Sequence, residues 1–314
     1  MLSNLLLFAI GLVGLYFGAE WLVGGAARIA AGLGVSSFVV GLTLVSFGTS
    51  APELVVSGLA SYRGNGSLAI GNVLGSNVAN IALILGISAL ISAIAVHRKL
   101  VVRDVPLMIG LAVLVPIFGW SGSISRVEGG ILLTIFVAYI AHLAIDARRE
   151  SALPGLPDQP GAAPETSNLK LDAVVAVIGL LVLAGGAQVL VVSAIDIAIA
   201  LDVPEVVIGL TLVAFGTSLP ELAASVSASR RGDGQIVIGN VVGSNIFNVA
   251  LVVGIAALVR PLPVSEAVMR VDAPIVIGLS LILLPVLLRT RRVYRWEGGL
   301  LCAGYAGFIF WTVL

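Results

Sequence analysis

Glu53 and Glu221 each stand in apolar sequence behind Gly-Thr-Ser-x-Pro, and eighteen residues after each begins Gly-Asn-x-x-Gly-Ser-Asn-x-x-Asn. The first copy runs Gly48-Thr49-Ser50-Ala51-Pro52-Glu53 and Gly71 to Asn80. The second runs Gly216-Thr217-Ser218-Leu219-Pro220-Glu221 and Gly239 to Asn248, at a constant offset of 168 residues. Gly41-Leu42-Thr43 likewise returns as Gly209-Leu210-Thr211. Carboxylates, hydroxyls and amide carbonyls supply oxygen ligands, which suit hard cations such as Ca²⁺ and Na⁺. Zn²⁺ would call for His or Cys, whereas His97 and His142 are isolated near span ends and Cys302 is the lone cysteine.

Spacing puts these groups on helical faces. Thr43, Ser46, Ser50, Glu53 and Ser57 lie 3, 4, 3 and 4 residues apart, and the second copy repeats the face as Thr211, Ala214, Ser218, Glu221 and Ser225. Asn72, Ser76 and Asn80 recur every fourth residue, as do Asn240, Ser244 and Asn248, so each set shares one side of a helix. Four polar stripes in four apolar helices can enclose one polar path. Pro52 and Pro220 cannot donate to the carbonyls of Gly48 and Gly216 and clash with them, which predicts a broken helix at each Gly-Thr-Ser. Loosened carbonyls at membrane depth are tolerated only where the interior satisfies them.

The two glutamates set the sign of the ligand. The nearest cations on their own helices, Arg63 and Arg230, are about 14–15 Å away at 1.5 Å per residue, too far to neutralise them. A charge near mid-bilayer costs at least a few kcal/mol and marks a pathway or a site. The other acids read as structural: Glu20 is two turns from Arg28 and pairs there, Asp104 and Asp272 flank spans as caps, and Asp196 has no matched acid in the repeat. Gly71/Gly75 and Gly239/Gly243 have the spacing of close helix packing.

The elements that position these residues are membrane spans. Of 314 residues 59% are hydrophobic and 11% charged, against roughly a quarter charged in soluble proteins. The apolar runs near or above 20 residues fit helices crossing a core of about 30 Å, and the short alternating segments of a barrel are absent. Zero formal net charge argues against a nucleic-acid partner. Residues 1–4 lack a basic signal-peptide region, so the first run is expected to be a retained span. Cys302, in the last span, reads as a buried inert thiol.

Ten spans are expected, at about 4–27, 35–61, 67–94, 102–120, 127–147, 171–195, 203–229, 235–258, 271–288 and 297–314. The fold class is thus an all-α integral membrane protein with two five-helix repeats, 1–147 and 171–314, and broken helices 2 and 7. The offset extends to Gly18/Gly186, Asp104/Asp272 and Pro106/Pro274, and Glu128-Gly129-Gly130 returns one residue later as Glu297-Gly298-Gly299. Five spans per repeat force the second to enter from the opposite side, which makes the repeats inverted. Loops after the odd-numbered spans hold thirteen Lys and Arg, and the opposite side holds only Arg63, Arg126, Arg260 and Arg270. The positive-inside rule makes the first set cytoplasmic and both termini external. The segment 148–170, with Pro154, Pro157, Pro160 and Pro164, reads as a short flexible cytoplasmic linker.

These residues resemble the α-repeats of the sodium/calcium exchangers, within the cation/Ca²⁺ antiporter superfamily, and the match to a compact prokaryotic-type member covers nearly the whole chain. The resemblance implies a core of helices 2, 3, 7 and 8, with helices 1 and 6 sliding across it. It implies Glu53 and Glu221 as shared Ca²⁺ carboxylates, with backbone oxygens from Thr49 and Thr217. Ser50, Ser76, Ser218 and Ser244 would form flanking Na⁺ sites with carbonyls of Ser46 and Ala214, and Asn80 and Asn248 would line the centre. Some prokaryotic relatives carry Asp at one of those Asn positions; here both are amides. Potassium-dependent relatives tend to carry an acid in this region, and proton-coupled ones usually have a different sequence around the glutamate.

The expected function is antiport of Na⁺ for Ca²⁺ in the cell (inner) membrane, with no cofactor and with the two ions and the bilayer as partners. No obligate protein partner is evident. Proton binding to the glutamates would inhibit at low pH. A Ca²⁺/H⁺ antiporter using the same glutamates is the alternative, and a passive cation channel would be separated by needing no counter-ion. An intramembrane enzyme would need a nucleophile with a base, and no His or Lys converges on the stripes.

Overall fold

The computed structural model of the protein describes residues 2–151, 168–201 and 214–313. Most of the expected linker lies outside them, as do Gly209, Leu210 and Thr211 and the side chain of Ala214. The described residues are helical almost throughout: α1 Leu2–Leu33, α2 Ser37–Thr49, α3 Ala51–Tyr62, α4 Gly66–Ile91, α5 Leu100–Gly119 and α6 Arg126–Ser151. Then come α7 Leu169–Ala200, the short α8 Ala214–Gly216, α9 Leu219–Arg230, α10 Gly234–Val259, α11 Val268–Thr290 and α12 Arg295–Val313. Seven described helices are long and apolar enough to cross a bilayer, or up to eight with the bent α2–α3 pair counted as one.

The proline argument accounts for that bend. α2 and α3 meet at 43° across Ser50, whose φ of −82° and ψ of 4° leave the helix. Ser218 has nearly the same angles, −87° and 2°, between α8 and α9. Two further irregularities fall on the second motif. α4 widens into a π-helical turn over Ala79–Ile84, and α10 does so over Asn248–Val253; such bulges are frequent at functional sites.

α1 and α7 are longer than the apolar runs suggested. Each has 32 residues, about 48 Å at 1.5 Å per residue, so they must tilt or emerge from a hydrocarbon core of about 30 Å. A charge such as Arg28 ends the apolar stretch without ending the helix. The two run antiparallel in backbone contact: a Cβ on Gly18 would lie 2.4 Å from the Leu183 nitrogen, and one on Gly179 2.4 Å from the Leu22 nitrogen. Close approach of this kind is what small residues allow between membrane helices. Gly179→Val is expected to cost about 1–3 kcal/mol by overpacking, read as earlier thermal unfolding in detergent; wild-type stability would mean that the pair has room to spare.

Three structural readings of the acids need correcting. Glu20 does not pair with Arg28: eight residues of helix separate them by about 12 Å. Its carboxylate instead accepts from Arg231 and from Ser227 Oγ at 2.6 Å, while Arg28 reaches Asp172 of α7. Asp104 makes no cap bond. It is fully buried and accepts from Tyr139 Oη at 3.0 Å and Arg103 Nε at 2.8 Å, which ties α5 to α6. Asp272 makes no side-chain cap bond either. Cys302 is half-buried and is a free thiol, with Sγ 4.0 Å from the Leu83 carbonyl.

Two antiparallel two-residue ladders sew the helix ends together. β1 (Ile94–Ala95) pairs with β4 (Arg292–Val293), and β2 (Ser123–Ile124) pairs with β3 (Leu262–Pro263). α4 and α10 are the most enclosed of the spans. Their buried Ile70, Val73, Leu74, Ile81, Ile238, Val242 and Ile246 form the middle of the core, so the second motif of each copy is set in the most enclosed spans described.

Candidate ion-binding site

The break in each copy sends a hydroxyl toward the other copy's glutamate, directly for Ser50 and through Ser76 for Ser218. Ser50 Oγ donates to Glu221 Oε1 at 3.0 Å. Ser218 Oγ donates to Ser76 Oγ at 3.2 Å, and Ser76 Oγ donates to Glu53 Oε1 at 3.2 Å. The threonines cross in the same way, Thr49 Oγ1 to Asn240 Oδ1 at 3.2 Å and Thr217 Oγ1 to Asn72 Oδ1 at 3.4 Å. Each of those amides then donates back within its own copy, Asn240 to Ser225 Oγ at 3.0 Å and Asn72 to Ser57 Oγ at 3.1 Å. Because threonines and asparagines 168 apart make equivalent bonds, the two copies interlock rather than stand side by side; the serines differ, since Ser244, the counterpart of Ser76, donates to no glutamate among the described residues.

What is left over is a set of buried polar atoms, oxygens except for the Asn80 amide nitrogen. Glu53 and Glu221 are 0% and 1% exposed; each uses Oε1 as above, and each Oε2 is buried with no hydrogen-bond partner among the described residues. Ser244 Oγ, Asn248 Oδ1 and both polar atoms of Asn80 are in the same condition. A buried polar group left unpaired costs about 1–3 kcal/mol, and one in a native protein calls for an explanation such as an ion. Carboxylate, hydroxyl and amide oxygens concentrated on the two motifs are a donor set for a hard cation. Among the described residues no three His, Cys, Asp or Glu side chains converge as a soft-metal site would require.

The sequence-derived candidates divide accordingly. Glu53, Glu221, Ser50, Ser76 and Ser218 join the hydroxyl–carboxylate chains, Thr49 and Thr217 bridge to Asn240 and Asn72, and Asn80, Asn248 and Ser244 keep free polar atoms. Ser46 is engaged otherwise. Its Oγ bonds to the carbonyls of Gly41, Gly239 and Asn240, and its own carbonyl takes the Ser50 N–H at 3.0 Å. Gly243 explains that contact, since a Cβ there would meet Ser46 Oγ at 2.3 Å; the second glycine pair packs on α2 as its spacing suggested. For Gly71/Gly75 the corresponding positions of the second copy fall among residues 202–213, outside the described ones.

One residue escaped the sequence patterns. Asn77 is buried, and its Oδ1 accepts from Asn248 Nδ2 at 3.0 Å, which fixes that amide and turns the unpaired Asn248 Oδ1 the other way. Asn77 lies off the every-fourth-residue stripe. Its only sequence signal is that Ser-Asn is duplicated as Ser244-Asn245.

Comparison with known proteins adds a second line of observation. The profile of the family described as "Sodium/calcium exchanger protein" matches residues 3–144 and 171–314, nearly the whole chain. The chain belongs to that family. Among its relatives, "Sodium/calcium exchanger MaX1" of Methanosarcina acetivorans is 36% identical, covering 98% of this chain and 97% of the relative. "Inner membrane protein YrbG" of Escherichia coli is 33% identical, covering 100% and 97%. A solved structure of the sodium-calcium exchanger NCX_Mj, soaked with 2.5 mM Na⁺ and 1 mM Sr²⁺, superposes with a TM-score of 0.84 at 35% identity, covering 98% of this chain and 97% of that one. The chain is therefore a helical membrane protein of a family whose relatives include named exchangers.

Proposed function

We propose that the protein is an antiporter exchanging Na⁺ for Ca²⁺ by alternating access, the ions competing for one mid-membrane site built on Glu53 and Glu221. The observation that carries this reading is the pair of buried carboxylates, each with one oxygen held by a serine of the interlocked motifs and the other unpartnered. Thr49, Thr217, Ser50, Ser218, Ser76, Ser244, Asn80, Asn248 and the carbonyls of Ser46 and Ala214 complete the proposed ligand set. In the conformation described, the Ser46 carbonyl accepts the Ser50 N–H, and its second lone pair is the one that would serve Na⁺.

The ten-span arrangement in two inverted repeats, 1–147 and 171–314 around a cytoplasmic linker with both termini outside, belongs to the same proposal. It is supported by the charge bias of the loops and by the equivalent bonds of Thr49 and Thr217 and of Asn72 and Asn240. Mechanism then follows from charge. Two carboxylates compensate one Ca²⁺ or several Na⁺, but not both sets at once, so occupancy by one ion expels the other. A loaded, compensated site can cross a low-dielectric barrier, whereas an empty doubly anionic one cannot, and that difference couples the two fluxes.

The test is Ca²⁺ uptake into proteoliposomes loaded with Na⁺, K⁺ or choline, with and without an imposed pH gradient. Uptake is expected only with internal Na⁺. Uptake driven by the proton gradient alone would instead establish a Ca²⁺/H⁺ antiporter on the same glutamates, and uptake needing no counter-ion would establish a channel.

A further inference from the structure

α11 and α12 leave a groove between them that the proposed ion site does not use. Its volume is about 500 Å³, within the range of about 300–1,000 Å³ typical of ligand pockets. α11 contributes Leu279, Leu283 and Val286, and α12 contributes Leu300 and Gly304, at three- and four-residue steps that put each set on one helical face. One end is charged: Arg289 and Trp296 line it, Arg291 and Arg292 follow in the connecting turn, and Arg295 opens α12. The β1–β4 ladder brings a second loop to this end, with the Val96 N–H on the Arg291 carbonyl at 2.8 Å; Arg98 and Lys99 follow in that loop.

These arginines are not used up internally. Arg289, Arg291 and Arg292 are exposed, and among the described residues no acid pairs with them. Arg295 holds the Ile91 carbonyl at 2.9 Å. The one carboxylate in the groove, Glu297, is buried and accepts the Tyr294 N–H at 2.8 Å. Arg291 closes α11 in the left-handed region at φ 50°, where Gly or Asn is the usual residue, so a cation stands where conformation favours a smaller group. The corresponding end of α5 and α6 is a control within the molecule. Its turn carries a single Arg126, which is bonded to the Val259 carbonyl at 3.2 Å.

An apolar trough capped by several unpaired guanidinium groups and an exposed Trp at one membrane boundary complements one kind of partner. We infer that the α11–α12 groove binds an anionic phospholipid, its acyl chain along Leu279, Leu283, Leu300 and Gly304 and its phosphate at Arg289, Arg291 and Arg292. Basic pockets between spans capture such headgroups, and Trp belongs at the interface where head and chain meet. The inference rests on the chain spanning a bilayer and not on which ions it exchanges, so its failure would leave the exchange reading untouched.

The experiment is native mass spectrometry of the full chain in mild detergent with equimolar phosphatidylglycerol and phosphatidylcholine. About tenfold preferential retention of phosphatidylglycerol is expected, a factor that roughly 1.4 kcal/mol sets, little more than one arginine at an anionic surface supplies. The triple variant Arg289→Gln, Arg291→Gln, Arg292→Gln should lose the preference, whereas Arg126→Gln should keep it. A Cβ on Gly304 meets nothing within 4 Å, so Gly304→Leu can fill the trough without disturbing the helix and should lower retention. Equal retention of both lipids by wild type, an unchanged preference in the triple variant, or full retention in Gly304→Leu would each overturn the inference.

Discussion

Glu53→Gln and Glu221→Gln are each expected to abolish Ca²⁺-dependent stabilisation and exchange together while leaving the helices folded. Gln keeps the shape of Glu, and its carbonyl can still accept from Ser76 at position 53 or from Ser50 at position 221. In the ion-free protein the substitution removes a desolvated charge from a side chain that is 0% or 1% exposed, so stability should hold or rise. The bound state is where the loss falls. A ligand at 100 times its Kd stabilises the folded form by about 2.7 kcal/mol, seen as a rise of several degrees in the unfolding temperature. With one of two compensating charges gone, that rise should vanish and proteoliposome uptake should drop at least about a hundredfold, as a lost site charge worth roughly 3 kcal/mol implies. A variant that still gains Ca²⁺-dependent stability and still takes up Ca²⁺ would remove the glutamates from the proposed site.

That the two glutamates, their Thr-Ser-x-Pro approaches and the Asn-Ser-Asn stripes belong together was legible because helical spacing assigns residues to a face and duplication assigns faces to equivalent places. The helix breaks were legible too, since the missing N–H of Pro52 is a local fact. Which stripe meets which was not. Nothing within one helix says that Ser50 serves Glu221 rather than Glu53, or that Asn77, off the stripe, orients Asn248. Glu20 shows the limit from the other side: sequence proximity suggested Arg28, but the true partner, Arg231, is brought in by a different helix. The Asp104–Tyr139 bond and the ladders that tie helix ends are long-range in the same way. The ion-binding role of the site remains a proposal that the two transport experiments decide.

Tethering α1 to α9 is expected to stop exchange, whereas the bond pattern within α1 and α7 predicts that they travel as one body. α1 and α7 touch backbone to backbone at Gly18 and Gly179 and are further joined by Arg28 and Asp172. Such an interdigitated interface cannot slip without separating. Against the site helices the contacts differ in kind. Gly48 faces the Leu180 methyl groups and Gly216 faces Val191, both on α7, so side chains rest on glycine surfaces beside the two threonines. The polar link of α1 to α9 and the residue after it is Glu20 with Ser227 and Arg231, an edge contact that can break and re-form. If α1 and α7 slide across the site to switch its access, this link must open in every cycle. With Cys302→Ala as background, Glu20→Cys and Ser227→Cys bridged by a short reducible bifunctional thiol reagent should bring Na⁺-dependent Ca²⁺ uptake to background, and reduction should restore it. Uptake that continues in fully bridged protein would mean that α1 stays fixed on α9 during transport, and access to Glu53 and Glu221 would then have to change within the site helices themselves, at the Ser50 and Ser218 breaks.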